Sequence, residues 1–498
     1  MHTTHALSHL ARIAGGELVA AAGVDPAISS LELDSARLAD TEALFAALPG
    51  TRRHGAEFAA DTPAVAILTD RAGHGILTQQ QETRPVIVVE DVRAILGLVA
   101  AEIHGHPSEQ LTLLGVTGTS GKTTTSYLLE QGLMAAGHKV GLIGTTGTRI
   151  DGRPVPTSLT TPEATTLQAL FAEMLDEGVT HVVMEVSSHA LELGRVTGTR
   201  FDVAGFTNLS QDHLDFHPTM EEYFEAKARF FDPASPLAAA HSVICIDDEW
   251  GQRMAARAAA PLTVATRGAQ ADVSAALAEM RPSGAQLIVM HLPSGLLEAE
   301  LPLPGDFNIA NAALATAMAY AVGVDPRAFT SGFSAVAVPG RMERIDAGQD
   351  FLAVVDYAHK PAAVAAVLDT LRGQITGRLG VAVGAGGDRD ATKRPLMGAE
   401  AARRADLVII TDDNPRSEEP ASIRAAVLAG AEEAGTQAEI REIGDRAAAI
   451  DALIEWARPG DAIVVAGKGH EVGQLIAGVN HHFDDREEVR RALKEKMS

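Results

Sequence analysis

Leu111-Thr-Leu-Leu-Gly-Val-Thr-Gly-Thr-Ser-Gly-Lys-Thr-Thr124 decides the fold. An apolar run of strand length, Leu111 to Val116, passes into a glycine-rich turn and then into a helical run from Lys122 to about Ala136, closed by Gly137. Strand, glycine-rich loop and helix N-terminus in that order form a cradle for phosphate. Gly118 and Gly121 let backbone N–H groups approach anionic oxygens, Lys122 neutralises charge, and the Thr123 hydroxyl can bind Mg²⁺. The first glycine of the usual nucleotide pattern is replaced by Val116, and the loop predicts ATP or GTP use without naming a reaction.

Outward from this loop, short β-branched runs alternate with alanine-rich helical stretches, which predicts an α/β protein with mainly parallel sheets. Three blocks are expected. Residues 1–107 form a small, irregular α/β unit ending after the helical stretch Val92 to Ile103. Residues 108–337 form a P-loop ATPase-like parallel sheet with strands at Val140–Ile143, His181–Val186, Val203–Phe206 and Val243–Ile246. Residues 338–498 repeat strand then helix, at Leu352–Asp356, Leu379–Val383, Asp406–Thr411, Ala438–Ile443 and Asp461–Val465, as a second, Rossmann-like sheet.

The 498 residues carry 41 Lys and Arg against 65 Asp and Glu, a net charge of −24. That field repels phosphate backbones and anionic membranes, so no nucleic-acid partner is expected and an anionic substrate needs a locally basic site. No apolar run approaches the ~18 residues needed to span a bilayer, and Met1 to Leu10 carries no export signal. The lone cysteine, Cys245, lies in the apolar run Val243-Ile-Cys-Ile246 and reads as a core residue, which fits a reducing cytoplasm.

Two stretches suggest a metal site. Glu185 ends the apolar strand of Met184-Glu-Val-Ser-Ser-His-Ala-Leu191, and Asp212, His213, Asp215 and His217 follow the strand ending near Phe206. Oxygen donors with one imidazole suit Mg²⁺ or Mn²⁺ better than zinc; core hydrogen bonding is the alternative for each histidine. Lys227 falls on the inward stripe of Met220, Tyr223, Phe224 and Phe231. It either snorkels to the surface or, made reactive by desolvation, is carbamylated and so becomes an anion able to hold Mg²⁺.

In order, Thr117 to Thr123, Thr160-Thr-Pro162, Glu185-Val-Ser-Ser-His189, Thr207 to His213, Lys227, Leu303 to Asn311, Pro339-Gly-Arg-Met-Glu343 and Asp356-Tyr-Ala-His359 resemble motifs of the Mur ligase family, over essentially the whole chain. The resemblance implies that Gly118, Thr119, Ser120, Gly121, Lys122, Thr123 and Thr124 hold ATP, with Asn308, Arg341, Asp356 and His359 beside the nucleotide. It implies that Thr123, Glu185, His213 and carbamylated Lys227 serve magnesium, and that Lys122, Lys227 and His213 are catalytic. Ser35, Thr160, Thr161, Ser187 and Arg195 would hold a UDP-sugar peptide. The first block carries Asp34-Ser-Ala-Arg37 and Leu44 to Leu48, similar to a uridine-binding motif with its arginine displaced by one.

Gly384-Ala-Gly-Gly-Asp-Arg-Asp390 and Asp413-Asn-Pro-Arg416 each follow a strand, placing Arg389 and Arg416 at a ligand-binding edge. Arginine offers a bidentate fork to a carboxylate, and meso-diaminopimelate differs from lysine by one distant carboxylate. Asp413, Asn414 and Arg416 resemble the signature of diaminopimelate-adding family members, and Gly467-Lys-Gly-His-Glu471 the amino-acid-binding segment, with Gly467 and Glu471 as contacts. An exposed Asx-Pro turn is the alternative for Asp413 to Arg416.

The resemblance thus implies an ATP- and Mg²⁺-dependent ligase of peptidoglycan synthesis, a monomer, joining meso-diaminopimelate to UDP-N-acetylmuramoyl-L-alanyl-D-glutamate. A lysine-adding relative, a folylpolyglutamate synthetase and a nonenzymatic ATP-binding scaffold remain as alternatives. The chain departs from the family's common form at Ser120, Leu193, Lys360, Ala385 and Thr392.

Overall fold

Three large sheets, each built from its own stretch of chain, carry the architecture. The structure, a computed structural model, describes residues 4–36, 42–50, 52–157, 159–281 and 285–497; Arg37 lies outside them. The first sheet has five strands in the order Glu17–Val19, Val86–Val89, Ala66–Asp70, Ala43–Ala47, Ser30–Glu32, all parallel except the first. The helix Val92–Ile103 packs on it, its N-terminus capped by the Asp91 carboxylate, which accepts from the N–H groups of Arg93 and Ala94.

The second sheet has eleven strands. Seven run parallel, in the spatial order Val140–Gly144, His181–Glu185, Thr112–Thr117, Val203–Phe206, His241–Cys245, Leu262–Ala265, Val273–Met280, and antiparallel strands extend both edges. Along Thr112–Thr117, Leu113 points into the cluster of Phe171, Met184 and Phe206, while Leu114 and Val116 point into that of Leu128, Ala312 and Phe329. Cores on both faces explain why Leu-Leu-Gly-Val reads as one apolar run rather than an alternation. Cys245 is buried among these strands, as its sequence context implies. The strand order reverses beside Thr112–Thr117, which opens a crevice at the strands' C-terminal ends.

The third sheet has six strands, in the order Glu343–Arg344, Leu352–Asp356, Ala462–Ala466, Leu379–Val383, Leu407–Ile410, Glu439–Glu442, with only the first antiparallel. Arg446 and Asp485, both fully buried, pair through two bonds of 2.7 Å, and the same guanidinium donates to Asp412 O at 3.2 Å and Ala466 O at 3.0 Å. One side chain thereby fixes two strand ends of this sheet. Arg446→Ala would leave Asp485 buried and unpaired; a loss of about 3–5 kcal/mol is expected in a denaturant titration of the C-terminal transition. No helix among the described residues is long and apolar enough to cross a membrane.

Candidate functional site

The glycine-rich loop sits in that crevice, gripped from behind by the segment after Val203–Phe206. Asn208 O accepts from Thr119 N at 2.9 Å, the Asn208 side chain holds Ser120 N at 3.0 Å, and the Thr207 hydroxyl donates to Ser120 O at 2.6 Å. Gly118 and Gly121 have φ of +142° and +89°, and a Cβ on either would lie 1.9 Å from Thr207 Oγ1 or 2.4 Å from Asn311 Oδ1. Both glycines are therefore required by conformation and by space. Lys122 folds back over the loop, donating to Gly118 O at 2.9 Å and Thr119 O at 3.2 Å. Burial, reinforced by the nearby Lys360 ammonium, pushes its pKa down to about 8. Asn308 is buried against Pro304 O and meets the loop only through Asn311, to which it is hydrogen-bonded at 3.1 Å; Asn311, not Asn308, touches Gly121.

Glu185 ends its strand fully buried, its two oxygens accepting from Thr145 N and the Thr145 hydroxyl, each at 2.9 Å. Among the described residues it forms no ion pair. A buried carboxylate left with only neutral partners is a demand for a cation, and together with the buried hydroxyl of Thr123 it offers the hard oxygen donors that Mg²⁺ takes. The donor set therefore fits that ion. His213 has separate partners: it adopts φ +55°, and its Nε2 lies 3.1 Å from Asp212 Oδ2. Partial burial, opposed by the Asp212 charge, pushes it down to about 3, so the ring is neutral and its nitrogen lone pair available. Among the described residues, the grouping of three His, Asp, Glu or Cys whose donor atoms lie within 4.8 Å of one another is His5, His9 and Glu102, in the N-terminal sheet region and not at the loop.

Lys227 does not snorkel. It is 1% exposed, donates to Gly118 O at 3.2 Å and Thr117 Oγ1 at 3.3 Å, and lies 4.7 Å from the centre of the Tyr223 ring. Among the described residues it has no ion pair, and burial, with Lys122 and Lys360 nearby, holds its pKa well below the usual lysine range. Its environment at the back of the phosphate loop favours the neutral amine over the ammonium.

Of the proposed peptide contacts, Thr160, Thr161, Ser187 and Arg195 gather at the end of the strand bearing Glu185, whereas Ser35 lies in the N-terminal sheet region. Thr160 Oγ1 lies 3.2 Å from Thr145 Oγ1, the Thr161 hydroxyl donates to Glu185 O at 2.8 Å, and Ser187 caps the helix Ser188–Glu192 by accepting from Ala190 N. Arg195 donates to Thr161 O at 3.3 Å and pairs with Glu163 at 2.9 Å. Ser35 sits in the turn after the strand Ser30–Glu32. Beside that strand end, His189 stacks on Phe216 with centroids 4.0 Å apart and approaches His213 and His217 edge-on; these aromatic contacts were not assigned from sequence.

The C-terminal sheet presents its strand ends to the loop. Asp356 is buried and accepts from Met342 N at 2.7 Å and Ala358 N at 2.8 Å, which shapes the turn bearing Arg341. The Arg341 guanidinium lies 4.4 Å over the Tyr357 ring and donates to the Thr123 hydroxyl at 3.5 Å; its Nε is buried without a hydrogen-bond partner. His359 is anchored through Nδ1 on Tyr357 O at 2.8 Å, and burial, with Lys360 adjacent, keeps its ring neutral.

Further along the same edge, Asp413, Asn414, Arg416, Gly467 and Glu471 come together around a lysine not singled out from sequence. Lys468 is fully buried, donates to Asn414 Oδ1 at 3.0 Å, and lies 3.8 Å from Asp413 and 3.9 Å from Glu471. Asn414 Nδ2 donates to Glu471 at 2.9 Å. Arg416 adopts φ +55° and donates through Nη1 to Gly387 O at 2.6 Å, which orients the fork and leaves its remaining donors. Arg389 does not join this set: it is exposed, donating to Asp388 O at 3.1 Å. Gly467 has φ +124°, and its Cβ would lie 2.5 Å from Asp413 Oδ2. Gly467→Ala should push Asp413 out of the cluster and raise KM for the incoming amino acid by about tenfold, with KM for nucleotide unchanged, in steady-state assays.

Lys360, Thr145, Tyr357 and Lys468 are the site residues that motif reading missed. Each stands within or one residue from a quoted motif or strand end, so proximity to those ends was the available signal.

Comparison with known proteins agrees with this geometry. The family profile for the Mur ligase middle domain matches residues 116–319, and that for the Mur ligase glutamate ligase domain matches 340–469. A UDP-N-acetylmuramoyl-L-alanyl-D-glutamate--2,6-diaminopimelate ligase from Corynebacterium glutamicum is 68% identical over 95% of this chain and 93% of its own length. The same enzyme from Corynebacterium efficiens is 65% identical over 100% of this chain and 97% of its own. A solved structure of a ligase with that name superposes with a TM-score of 0.68 at 33% identity, covering 100% of both chains. With motifs, fold and relatives in accord across its length, the chain belongs to the Mur ligase family.

Proposed function

We propose that this chain is an ATP-dependent ligase that joins an amine of meso-diaminopimelate to the D-glutamyl γ-carboxylate of UDP-N-acetylmuramoyl-L-alanyl-D-glutamate, acting in the cytoplasm in peptidoglycan precursor synthesis. What supports it is that residues of two sheets meet at one loop: Lys122 folds back over the glycine-rich turn, Thr161 bonds to Glu185 O at the end of a neighbouring strand, and Arg341 and Lys360 of the C-terminal unit donate to Thr123 and Thr119. We assign residues 1–107 to the UDP-sugar, 108–337 to ATP and 338–498 to the amino acid.

In this reading the substrate γ-carboxylate attacks the γ-phosphorus of ATP, the bond to the bridging β–γ oxygen breaks, and an acyl-phosphate and ADP result. The amine then adds to the acyl carbon, loses a proton, and expels phosphate. Lys122 and the helix N-terminus face the charge that grows on the phosphoryl oxygens. Arg341, with an unpartnered Nε beside Thr123, brings a further cation from the C-terminal unit. Mg²⁺, held by Thr123 and Glu185 with His213 and Lys227 supporting it, would neutralise phosphate charge when bound. The buried Lys227 amine, in its neutral form, adds to the carbon of CO₂ and releases one proton, which gives a carbamate anion behind the loop. Asp413 and Glu471 supply negative charge for an incoming ammonium, Arg416 keeps guanidinium donors for a carboxylate, and the buried Lys468 between Asp413 and Glu471 holds those two side chains in place.

Phosphate release is measured with ATP and the UDP-sugar dipeptide in the presence of meso-diaminopimelate, L-lysine or no amine. Release with diaminopimelate alone is expected. Preference for lysine rejects the amino-acid assignment, and ADP release that ignores the amine rejects the reaction order.

A further inference from the structure

A cation outside every assigned role enters the phosphate site from the C-terminal sheet. Lys360 precedes the helix Pro361–Arg372, four residues after the end of the strand Leu352–Asp356. Its side chain leaves that sheet and crosses to the central one. It is 7% exposed, its Nζ lies 2.7 Å from Asp212 Oδ2, and it donates to Thr119 O at 3.2 Å. Asp212 is likewise 7% exposed and belongs to the loop after Val203–Phe206. Its neighbour Gln211 donates to the Thr392 hydroxyl, also of the C-terminal unit, at 3.4 Å.

Two opposite charges from different sheets are thus buried against each other at the seam. Each needs the other only while the units are together: when they part, water solvates both. The Thr119 carbonyl held by Lys360 also accepts from Lys122, so the seam contact and the phosphate-binding lysine share one backbone oxygen.

We propose that Lys360 and Asp212 form a charge latch that holds the C-terminal unit closed on the phosphate loop, making Lys360 a positioning residue that links nucleotide occupancy to closure. The proposal rests on the reading of the loop as the ATP site. Lys360→Met leaves Asp212 charged and without the ammonium that lies 2.7 Å away in the closed state, so closure is disfavoured. Lys360→Met combined with Asp212→Asn removes both charges, so closure is regained.

The test uses the full chain carrying donor and acceptor dyes at Arg267→Cys and Glu433→Cys, exposed positions on the two units, titrated with ADP. Wild type is expected to be mostly closed when saturated, Lys360→Met to show a closed fraction lower by about fivefold, and the double variant to return to within about twofold of wild type. Lys360→Gln serves as a second neutral variant, and a thermal melt of each confirms folding. Equal closure in wild type and both neutral variants overturns the latch, as does a double variant no more closed than Lys360→Met. Because dye distance needs only ADP, failure of the ligase assay with wild type sinks the proposed reaction and leaves the latch to be judged separately.

Discussion

Lys227→Ala is expected to lower kcat by about three orders of magnitude while ADP affinity changes by less than about threefold. Lys227 holds no ion pair among the described residues, and its hydrogen bonds reach only neutral oxygens of the loop's first residues, Thr117 and Gly118. A charged lysine in that setting would be an uncompensated buried cation added to Lys122 and Lys360. Burial and these neighbours instead favour the neutral amine. In the proposed function the amine would be carbamylated, which would make it an anion able to hold Mg²⁺. Removing it takes away charge that is felt most as the phosphoryl group transfers, which is why the loss falls on kcat. Two measurements check this: stopped-flow turnover of the variant, and ¹³C NMR of wild type equilibrated with labelled bicarbonate, where a carbamate carbon signal absent from Lys227→Ala is expected. Full turnover by the alanine variant would remove Lys227 from the catalytic centre.

Arg416→Ala should reduce kcat/KM for meso-diaminopimelate by about 10- to 150-fold, the value of about 1.5–3 kcal/mol that a charge-assisted hydrogen bond contributes. L-Lysine lacks the distant carboxylate, so its kcat/KM should stay within about threefold and the preference between the two amino acids should collapse. The structure supports the assignment in two ways. Arg416 is held in a left-handed conformation that non-glycine residues rarely adopt, between backbone bonds to Leu475 O and from Ala477 N. Its Nη1 is tied to Gly387 O, and that bond aims the fork rather than spending it. An equal loss for both amino acids would show that Arg416 only shapes the loop.

Local pattern was a good guide wherever one segment carried its own signal. The helix Val92–Ile103 appears with the expected bounds, and the loop helix runs Lys122–Ala135 with Gly137 at φ +91° just beyond it. The strands at Leu352–Asp356 and Leu379–Val383 match as well. Pattern was a weaker guide to partners. Asn308 was expected near nucleotide from its motif; in the structure it bonds to Pro304 O and to Asn311, one turn further along the same helix and in the same motif, whose side chain lies against Gly121. Lys360 read as a change of residue type after His359, with nothing in the neighbouring letters to show that its ammonium would end 2.7 Å from Asp212.

The order of strands and helices, the phosphate loop and the inward-facing Lys227 follow from periodicity and turn chemistry, because hydrophobic spacing, glycine conformation and helix caps act over a few residues. The meeting of Lys360 with Asp212 and of Arg341 with Thr123 is settled only when separate sheets pack, and that of Lys468 with Asn414 only when strands of one sheet bring their ends to one place. Parallel strands joined by crossover helices gather their C-terminal loops at a common edge whatever their separation in the chain, so side chains 54 to 218 residues apart become neighbours through topology and burial.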